Sequence, residues 1–482
     1  MTTEQQLPKG WKKTTFGEIA QVVSGGTPNT KLGTNFAEKG KGISWITPAD
    51  LSKHTDKFIS NGARDLSNDG YKSCSAKILP AGTVLLSSRA PIGYVAIAQN
   101  ELSTNQGFKN FILSDDILSE YAYYYLKSIK STIESLGSGT TFLELSASNA
   151  RRIPIIYPTS QETQQAIVNK IESLFDEIDE GIGRLKTAAQ QIQQYRQSLL
   201  KNAFNGELTK EWRSKHADTL PSENELLAQI QTTREQHHAQ QLADWQTAVS
   251  QWEQNGKEGK KPSKPKAPTQ AVKFEDNFAD LPSGWLESSL GDTTDVFVGS
   301  TPSRKNNEYW DGDISWVSSG EVNFSNILET KEKITNLGLS NSSTNIHPIG
   351  TVMLAMIGEG KTRGQAGILK IEACHNQNTA AIRVNKKYLL SEYLYYFFMF
   401  NYEQTRRIGS GNNQKALNKT IIENMSFPIC SLTEQTQIVA ILESKLTACD
   451  QLAAELAKQL KQAELLKQAV LKAAFSGGLL DK

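Results

Sequence analysis

The chain has 482 residues, 38% of them hydrophobic and 21% charged, and a formal net charge of +1, so it can bury two or three ordinary cores and carries no overall basic surplus for nucleic acid. No run of eighteen apolar residues occurs, and the opening MTTEQQLPKGWKK lacks the apolar stretch of a signal peptide, which predicts a cytoplasmic chain with no membrane partner. The four cysteines, Cys74, Cys374, Cys430 and Cys449, form no C-x-x-C pair, which argues against a disulfide framework or a zinc knuckle.

The first stretch with a recognisable pattern, LPKGWKKTTFGEIAQVVSGGTP from Leu7 to Pro28, returns as LPSGWLESSLGDTTDVFVGSTP from Leu281 to Pro302. The correspondence continues in order. ISWITPADL from Ile43 is answered by ISWVSSGEV from Ile314, PAGTVLLSSRAPIG from Pro80 by PIGTVMLAMIGEGKTRGQAG from Pro348, and TNQGFKNFI from Thr104 by HNQNTAAIR from His375. SEYAYYYL from Ser119 is matched by SEYLYYFF from Ser391, and each half closes on a G-S-G loop and a Pro-bounded strand. A domain of about 150 residues is therefore duplicated, a period too long for a solenoid. Its copies are placed at residues 1–158 and 277–430. Short β-branched runs set between Gly, Ser and Asn, with one aromatic helix per copy, predict an α+β domain rich in loops.

After each copy the texture changes. Ser160 to Phe204 and Ser431 to Phe475 contain no Pro, and both read as long helices, assigned to residues 159–210 and 431–482. Ile171, Ile178, Leu185, Ile192 and Leu199 recur every seven residues, interleaved with Ile167, Leu174, Ala188 and Tyr195. In the second helix Leu442, Cys449, Leu456, Ala463 and Val470 do the same, interleaved with Ile438, Leu452 and Leu466. Five heptads of this stripe predict a coiled-coil spacer. Both helices end on A-F-x-G-x-L, where Gly206 and Gly477 supply a left-handed stop. Residues 211–276 have no second copy and read as a polar helix followed by a Lys/Pro tether. His237 and His238 in that helix have no second ligand at metal spacing, so no metal is expected.

No motif carries catalysis. AMIGEGKT, from Ala355 to Thr362, fits a loosened phosphate loop, but RGQAGILKI after it reads as strand where a helix should begin, and SSRAPIG in the first half has neither the Gly nor the Lys. A nucleotide fingerprint, a zinc-protease helix and the methyltransferase N/D-P-P-Y/F motif are all absent from the sequence.

The loops do carry polar and cationic side chains of the kind that touch DNA. In the first half the candidates are Thr27, Ser87, Ser88, Arg89, Asn105, Gln106, Lys109, Ser138, Thr140 and Thr141. In the second they are Arg304, Lys305, Lys361, Arg363, Gln365, Asn376, Gln377, Asn412, Asn413, Gln414 and Lys415. Residues 1–158 hold 17 basic and 13 acidic residues, and residues 277–430 hold 14 and 15, so a DNA site must be local. The alternative reading of these loops is ordinary solvated turns.

The L-P-x-G-W opening at Leu7 and Leu281, the G-x-T-P at Gly25 and Gly299, the ISW strand, the N-Q pairs at Asn105 and Asn376, the G-S-G loop, EQTQIVAIL at Glu434 and the A-F-x-G-x-L helix ends together resemble the specificity subunits of type I restriction-modification systems. The resemblance spans nearly all of the chain except the insert. It implies two target-recognition domains joined by two long antiparallel coiled-coil helices, each domain reading half of a split double-stranded DNA site. It further implies a non-catalytic subunit that binds no cofactor itself and assembles with two methyltransferase subunits using S-adenosylmethionine and with restriction subunits using ATP and Mg. The first half departs from the pattern, since it reads SQETQQAIVNKI where E-Q-x-x-I-V is favoured, which leaves the start of the first helix open. A helix of about 45 residues spans about 65 Å at ~1.5 Å per residue, enough to hold two domains one DNA turn of ~34 Å or more apart. The alternative function is a coiled-coil scaffold that docks methyltransferase subunits without reading DNA.

Overall fold

A computed structural model describes residues 7–139, 143–258, 261–265, 267, 278, 280–358, 360–408 and 416–479. The chain divides into two units, residues 1–188 with 455–482, and residues 189–454. Each unit is built on the same plan.

In the first unit a five-stranded sheet runs in the order Ala20–Ser24, Phe108–Leu113, Val84–Ser88, Ile92–Ala98, Phe58–Ile59. In the second the order is Thr294–Val298, Thr379–Val384, Val352–Ala355, Ala366–Leu369, Ser325–Ile327. Neighbours are antiparallel except at the last position, which is parallel in both. The apolar run at the centre of each sheet faces core on both sides. Val84 and Leu86 enter one cluster and Leu85 another, just as Val352 and Leu354 part from Met353, because strand side chains alternate faces. The strand after L-P-x-G-W pairs with the strand that closes the domain: Trp11–Thr15 with Pro154–Pro158, and Leu286–Ser289 with Ser426–Ile429.

The long helices are Gln161–Phe204 and Leu432–Ala474, as the sequence predicts, and each contributes a segment to both units. The departure at SQETQQAIV resolves simply. Gln164 keeps the position of Gln435, and only the preceding Glu is replaced, by Thr163. Both glutamines are fully buried. Gln164 accepts from Leu118 N at 2.9 Å and donates to Asp116 O and Pro158 O, while Gln435 accepts from Leu390 N at 2.9 Å and donates to Tyr388 O and Cys430 O. Each latches the start of its long helix to the start of the aromatic helix, Ser119–Ser128 or Ser391–Phe400.

Within each unit the two helix segments run antiparallel. In the first, Asp179 pairs with Lys467 at 2.6 Å, while Ile167, Val168 and Ile171 share a core with Leu471 and Ala474. In the second, Arg196 pairs with Asp450, and Thr209, just past the helix, donates to Glu434 Oε1 at 2.7 Å. The heptad positions Ile171, Ile178, Leu185, Ile192, Leu199, Leu442, Cys449, Leu456, Ala463 and Val470 are buried or half-buried. Of the interleaved positions, Ile167, Leu174, Ala188 and Ile438 are buried or half-buried, and three differ from expectation: Tyr195, Leu452 and Leu466 are 47%, 57% and 51% exposed. Their places on the seam go to Arg196, Ala453 and Lys467. In the second helix the seam runs Leu442, Leu446, Cys449, Ala453, Leu456, Leu460, Ala463, Lys467, Val470, with steps of four and three, a 3.5-residue period that puts Leu452 and Leu466 one residue off the stripe.

The A-F-x-G-x-L motif is a docking plug. Phe204 packs on Tyr393, Phe397 and Phe400, with ring centroids 5.1 to 5.6 Å apart. Phe475 meets Tyr121 and Tyr125 edge-on at 5.2 and 5.1 Å. Gly206 and Gly477 have φ of +79° and +85°, and a Cβ on either would collide with the Pro of an L-P-x-G-W motif, Pro282 or Pro8. The end of the first helix thus closes on the second domain, and the end of the second helix on the first. Free thiols at Cys374, Cys430 and Cys449 are buried, and Cys74 is half-buried.

The insert is anchored at its start. Helix Glu223–Gln254 opens on a Ser222–Glu225 capping box, and Leu226 and Ile230 join the core of the second unit. Arg213 binds Glu434 Oε1 at 2.6 Å, and Trp285 Nε1 reaches its other oxygen at 3.0 Å, so this 2%-exposed carboxylate is matched by three donors.

Candidate nucleic-acid interface

The motifs shared by both halves meet at one junction in each domain. Trp45 Nε1 donates to Gly26 O at 3.0 Å, and Trp316 Nε1 to Ser300 O at 3.1 Å. The G-x-T-P backbone bonds the strand before the N-Q pair, Gly26 N to Thr104 O and Ser300 N to His375 O, and the N-Q loop bonds the ISW strand, Asn105 N to Ile46 O and Asn376 N to Val317 O, all within 2.9 to 3.0 Å. A Cβ on Gly25 or Gly299 would strike the N-Q backbone, which accounts for glycine there. Asn105 and Asn376 turn inward and accept from the backbone two residues on, at 2.9 and 3.0 Å. Gln106 and Gln377 are exposed, and each accepts from the G-x-T-P threonine, Thr27 or Thr301.

Two variable loops are tied to this junction. Ser88 N bonds Gly107 O at 2.7 Å and Leu145 N bonds Ser88 O at 2.9 Å, while in the second domain Met356 N bonds Asn378 O at 2.9 Å and Leu417 N bonds Met356 O at 3.0 Å. The loop after the central strand and the residue that follows the G-S-G stretch, Leu145 or Leu417, are thereby brought to the same edge as the N-Q pair.

Of the predicted contacts, Gln106, Ser138, Arg304, Lys305, Lys361 and Gln377 are exposed, and Thr27, Arg89, Asn105, Arg363 and Gln365 are half-buried. Ser87, Ser88, Lys109 and Asn376 lie inside. Ser87 Oγ donates to Pro91 O at 2.8 Å, and Lys109 Nζ reaches Ser88 Oγ at 3.4 Å. Burial lowers the Lys109 pKa, with Glu144 opposing and Arg89 adding to the fall. Arg363 folds back onto Arg406 O. Thr140, Thr141, Asn412, Asn413, Gln414 and Lys415 lie outside the described residues. The nucleotide-loop alternative fails on geometry, since the chain passes from Val352–Ala355 through a turn at Gly360–Gly364 into Ala366–Leu369, and no helix begins at Lys361.

Sequence reading missed two features, one in the second domain and one in both. His347 and His375 are fully buried with ring centroids 5.0 Å apart, where the first half has Leu79 and Thr104. Arg383 Nε donates to His347 Nδ1 at 3.0 Å, which places the imidazole proton on Nε2, and both Nε2 atoms lack a partner among the described residues. Burial pushes their pKa values down to about 3 and about 4. The other feature is the cation lying over the ISW tryptophan. It was invisible because the two halves place it on different strands or loops.

Residues 8–186 and 282–462 match the family described as the type I restriction modification DNA specificity domain. Among curated relatives, the MjaIX specificity subunit of Methanocaldococcus jannaschii is 39% identical over 201 residues, 41% of this chain and 45% of that one. The HindI specificity subunit of Haemophilus influenzae is 29% identical over 210 residues, 42% of each. These matches span less than half the length of either relative. Among solved structures, the HsdS subunit of Thermoanaerobacter tengcongensis shares the fold with a TM-score of 0.58 at 17% identity, covering 98% of this chain and 99% of that one. A chain of a type I restriction-modification complex does so with a TM-score of 0.66 at 16% identity and the same coverage.

Proposed function

The chain belongs to the family of type I restriction-modification DNA specificity domains, and from that premise we propose that it reads a split, asymmetric DNA target, one half-site per domain. The observation that carries the reading is the junction. Both domains build it from the same motifs and equivalent hydrogen bonds, yet the sequences of the loops that adjoin it differ, SSRAPIG against GEGKTRGQ and GSGTTF against GSGNNQ. A frame kept while its rim varies suits two readers of different short sequences. Two methyltransferase subunits carrying S-adenosylmethionine and restriction subunits driven by ATP and Mg complete the assembly, and the long helices set the spacing between half-sites. This chain contributes recognition and the partners contribute chemistry.

Methylome sequencing of the host with and without the gene tests the proposal. Loss of adenine methylation at one bipartite motif is the expected result. Unchanged methylation at every motif, in a host that carries the methyltransferase, overturns it. A gel shift with genomic fragments, with and without the methyltransferase, separates recognition from mere scaffolding: a scaffold retains all fragments equally.

A further inference from the structure

In each domain an arginine lies over a pair of aromatic rings at the edge of the junction, but the two arginines have different origins and different electrostatics. In the first, the Arg64 guanidinium carbon sits 3.7 Å from the Phe36 ring centroid and 5.6 Å from that of Trp45. In the second, Arg304 sits 4.0 Å from Trp310 and 5.3 Å from Trp316. The ring pairs correspond, with centroids 5.6 and 5.2 Å apart. Arg64 stands opposite Trp45 in its strand pair, and Glu332 occupies that position opposite Trp316. Arg304 comes instead from the G-x-T-P loop and spends its edge on Glu332, in a two-pronged pair with Nη2 to Oε2 at 2.9 Å. The second locus is a closed, neutral unit.

Arg64 is exposed, and among the described residues it has no carboxylate partner. Its face is fixed by the rings while its five N–H donors stay open to solvent, a pre-oriented cation whose fork fits a phosphate. The surrounding segments differ in the same sense. Residues 29–78 hold eight basic and five acidic residues, and residues 303–346 hold four and six. We propose that Arg64 is a DNA phosphate clamp of the first domain, and that the Arg304–Glu332 pair closes the corresponding locus of the second, so that the first domain supplies more of the backbone affinity. This rests on the DNA-reading function above.

The test is the salt dependence of binding of the full chain to a random-sequence DNA duplex, because each phosphate contact adds ~0.9 to the slope of log K against log salt. Arg64→Gln keeps a planar group over Phe36 and removes the charge. It should lower the slope by ~0.9 and weaken binding about eight-fold at ~0.1 M salt. Arg64→Lys should restore the slope, which excludes a folding defect. The double variant Arg304→Ala/Glu332→Ala should leave it unchanged. A slope for Arg64→Gln equal to wild type, or an equal fall in the double variant, overturns the assignment while leaving DNA reading intact. A wild-type chain with no salt-dependent binding sinks both.

Discussion

Acid should unfold the second domain before the first. His347 and His375 sit fully buried and neutral, held down to pKa values of about 3 and about 4 mainly by desolvation; His347 is lowered further by His375 and Arg383, and His375 by Arg383. In the unfolded chain each titrates near its ordinary ~6.5. Between those values the unfolded state binds more protons than the folded one, so stability rises with pH through this window and falls as pH drops below about 6.5. At pH 5 both histidines are still neutral when folded and nearly fully charged when unfolded. The penalty there depends on the unfolded pKa and little on the folded one: about 1.5 pH units at ~1.4 kcal/mol each, or about 2 kcal/mol per histidine and about 4 for the pair. That is a large share of a stability of about 5–15 kcal/mol. Ordinary carboxylates titrate little between pH 8 and pH 5 and leave the signal clear. Urea unfolding at the two pH values, followed by hydrogen exchange in Ser391–Phe400 and, for the first unit, Ser119–Ser128, measures it. His347→Leu, which installs the residue the first half uses at Leu79, should remove about half of the pH-dependent loss. Equal stability of Ser391–Phe400 at pH 5 and pH 8, or an undiminished loss in His347→Leu, would refute the reasoning.

The seam predicts that Leu456→Asp lowers stability by several kcal/mol, whereas Leu466→Asp, on the exposed side, changes it by less than about 0.5 kcal/mol; thermal melts of the two variants decide. Gln164→Ala strips the buried Pro158 carbonyl and the half-buried Leu118 amide of their partner and frees the exposed Asp116 carbonyl to water, so a loss of about 1–3 kcal/mol and faster exchange at the Leu118 amide are expected. Glycine substitutions should part in sign. Gly181→Ala, in open space on the first helix, should stabilise by about 0.5–1 kcal/mol, while Gly477→Ala, at positive φ against Pro8, should cost more than about 1 kcal/mol and expose the first unit to protease.

The duplication, both long helices and the heptads at Leu185 and Leu456 were legible because each leaves a periodic or repeated trace in one dimension. The interleaved positions were legible at Ile167, Leu174, Ala188 and Ile438 but not at Tyr195, Leu452 and Leu466. Leu452 and Leu466 are as apolar as Leu446 and Leu460, and only the packed partner decides which leucine of a crowded stripe faces inward. The shared motifs were visible as motifs but not as a joint, since Gly25 lies against the Asn105 backbone and the Trp45 indole donates to a backbone carbonyl, Gly26 O, contacts that sequence does not distinguish. Among the candidate contacts, polarity alone could not separate Ser87 and Lys109, drawn under the loop, from Gln106 at its surface.

The locus over the ISW tryptophan explains why aligning the halves against each other hides what matters most. Arg64 aligns with Glu332, and Arg304 with Thr30, so position by position the charges look unrelated. In space, each tryptophan has its cation, but one cation is open and the other is spent. A duplicated domain with identical backbone grips would hold random-sequence DNA equally through both halves. Moving a cation from strand to loop, and placing a carboxylate where the strand cation had been, keeps the stacked aromatic support while removing the charge. The frame is shared between the halves and the electrostatics are not, an asymmetry that fits the unsymmetrical target proposed for the chain.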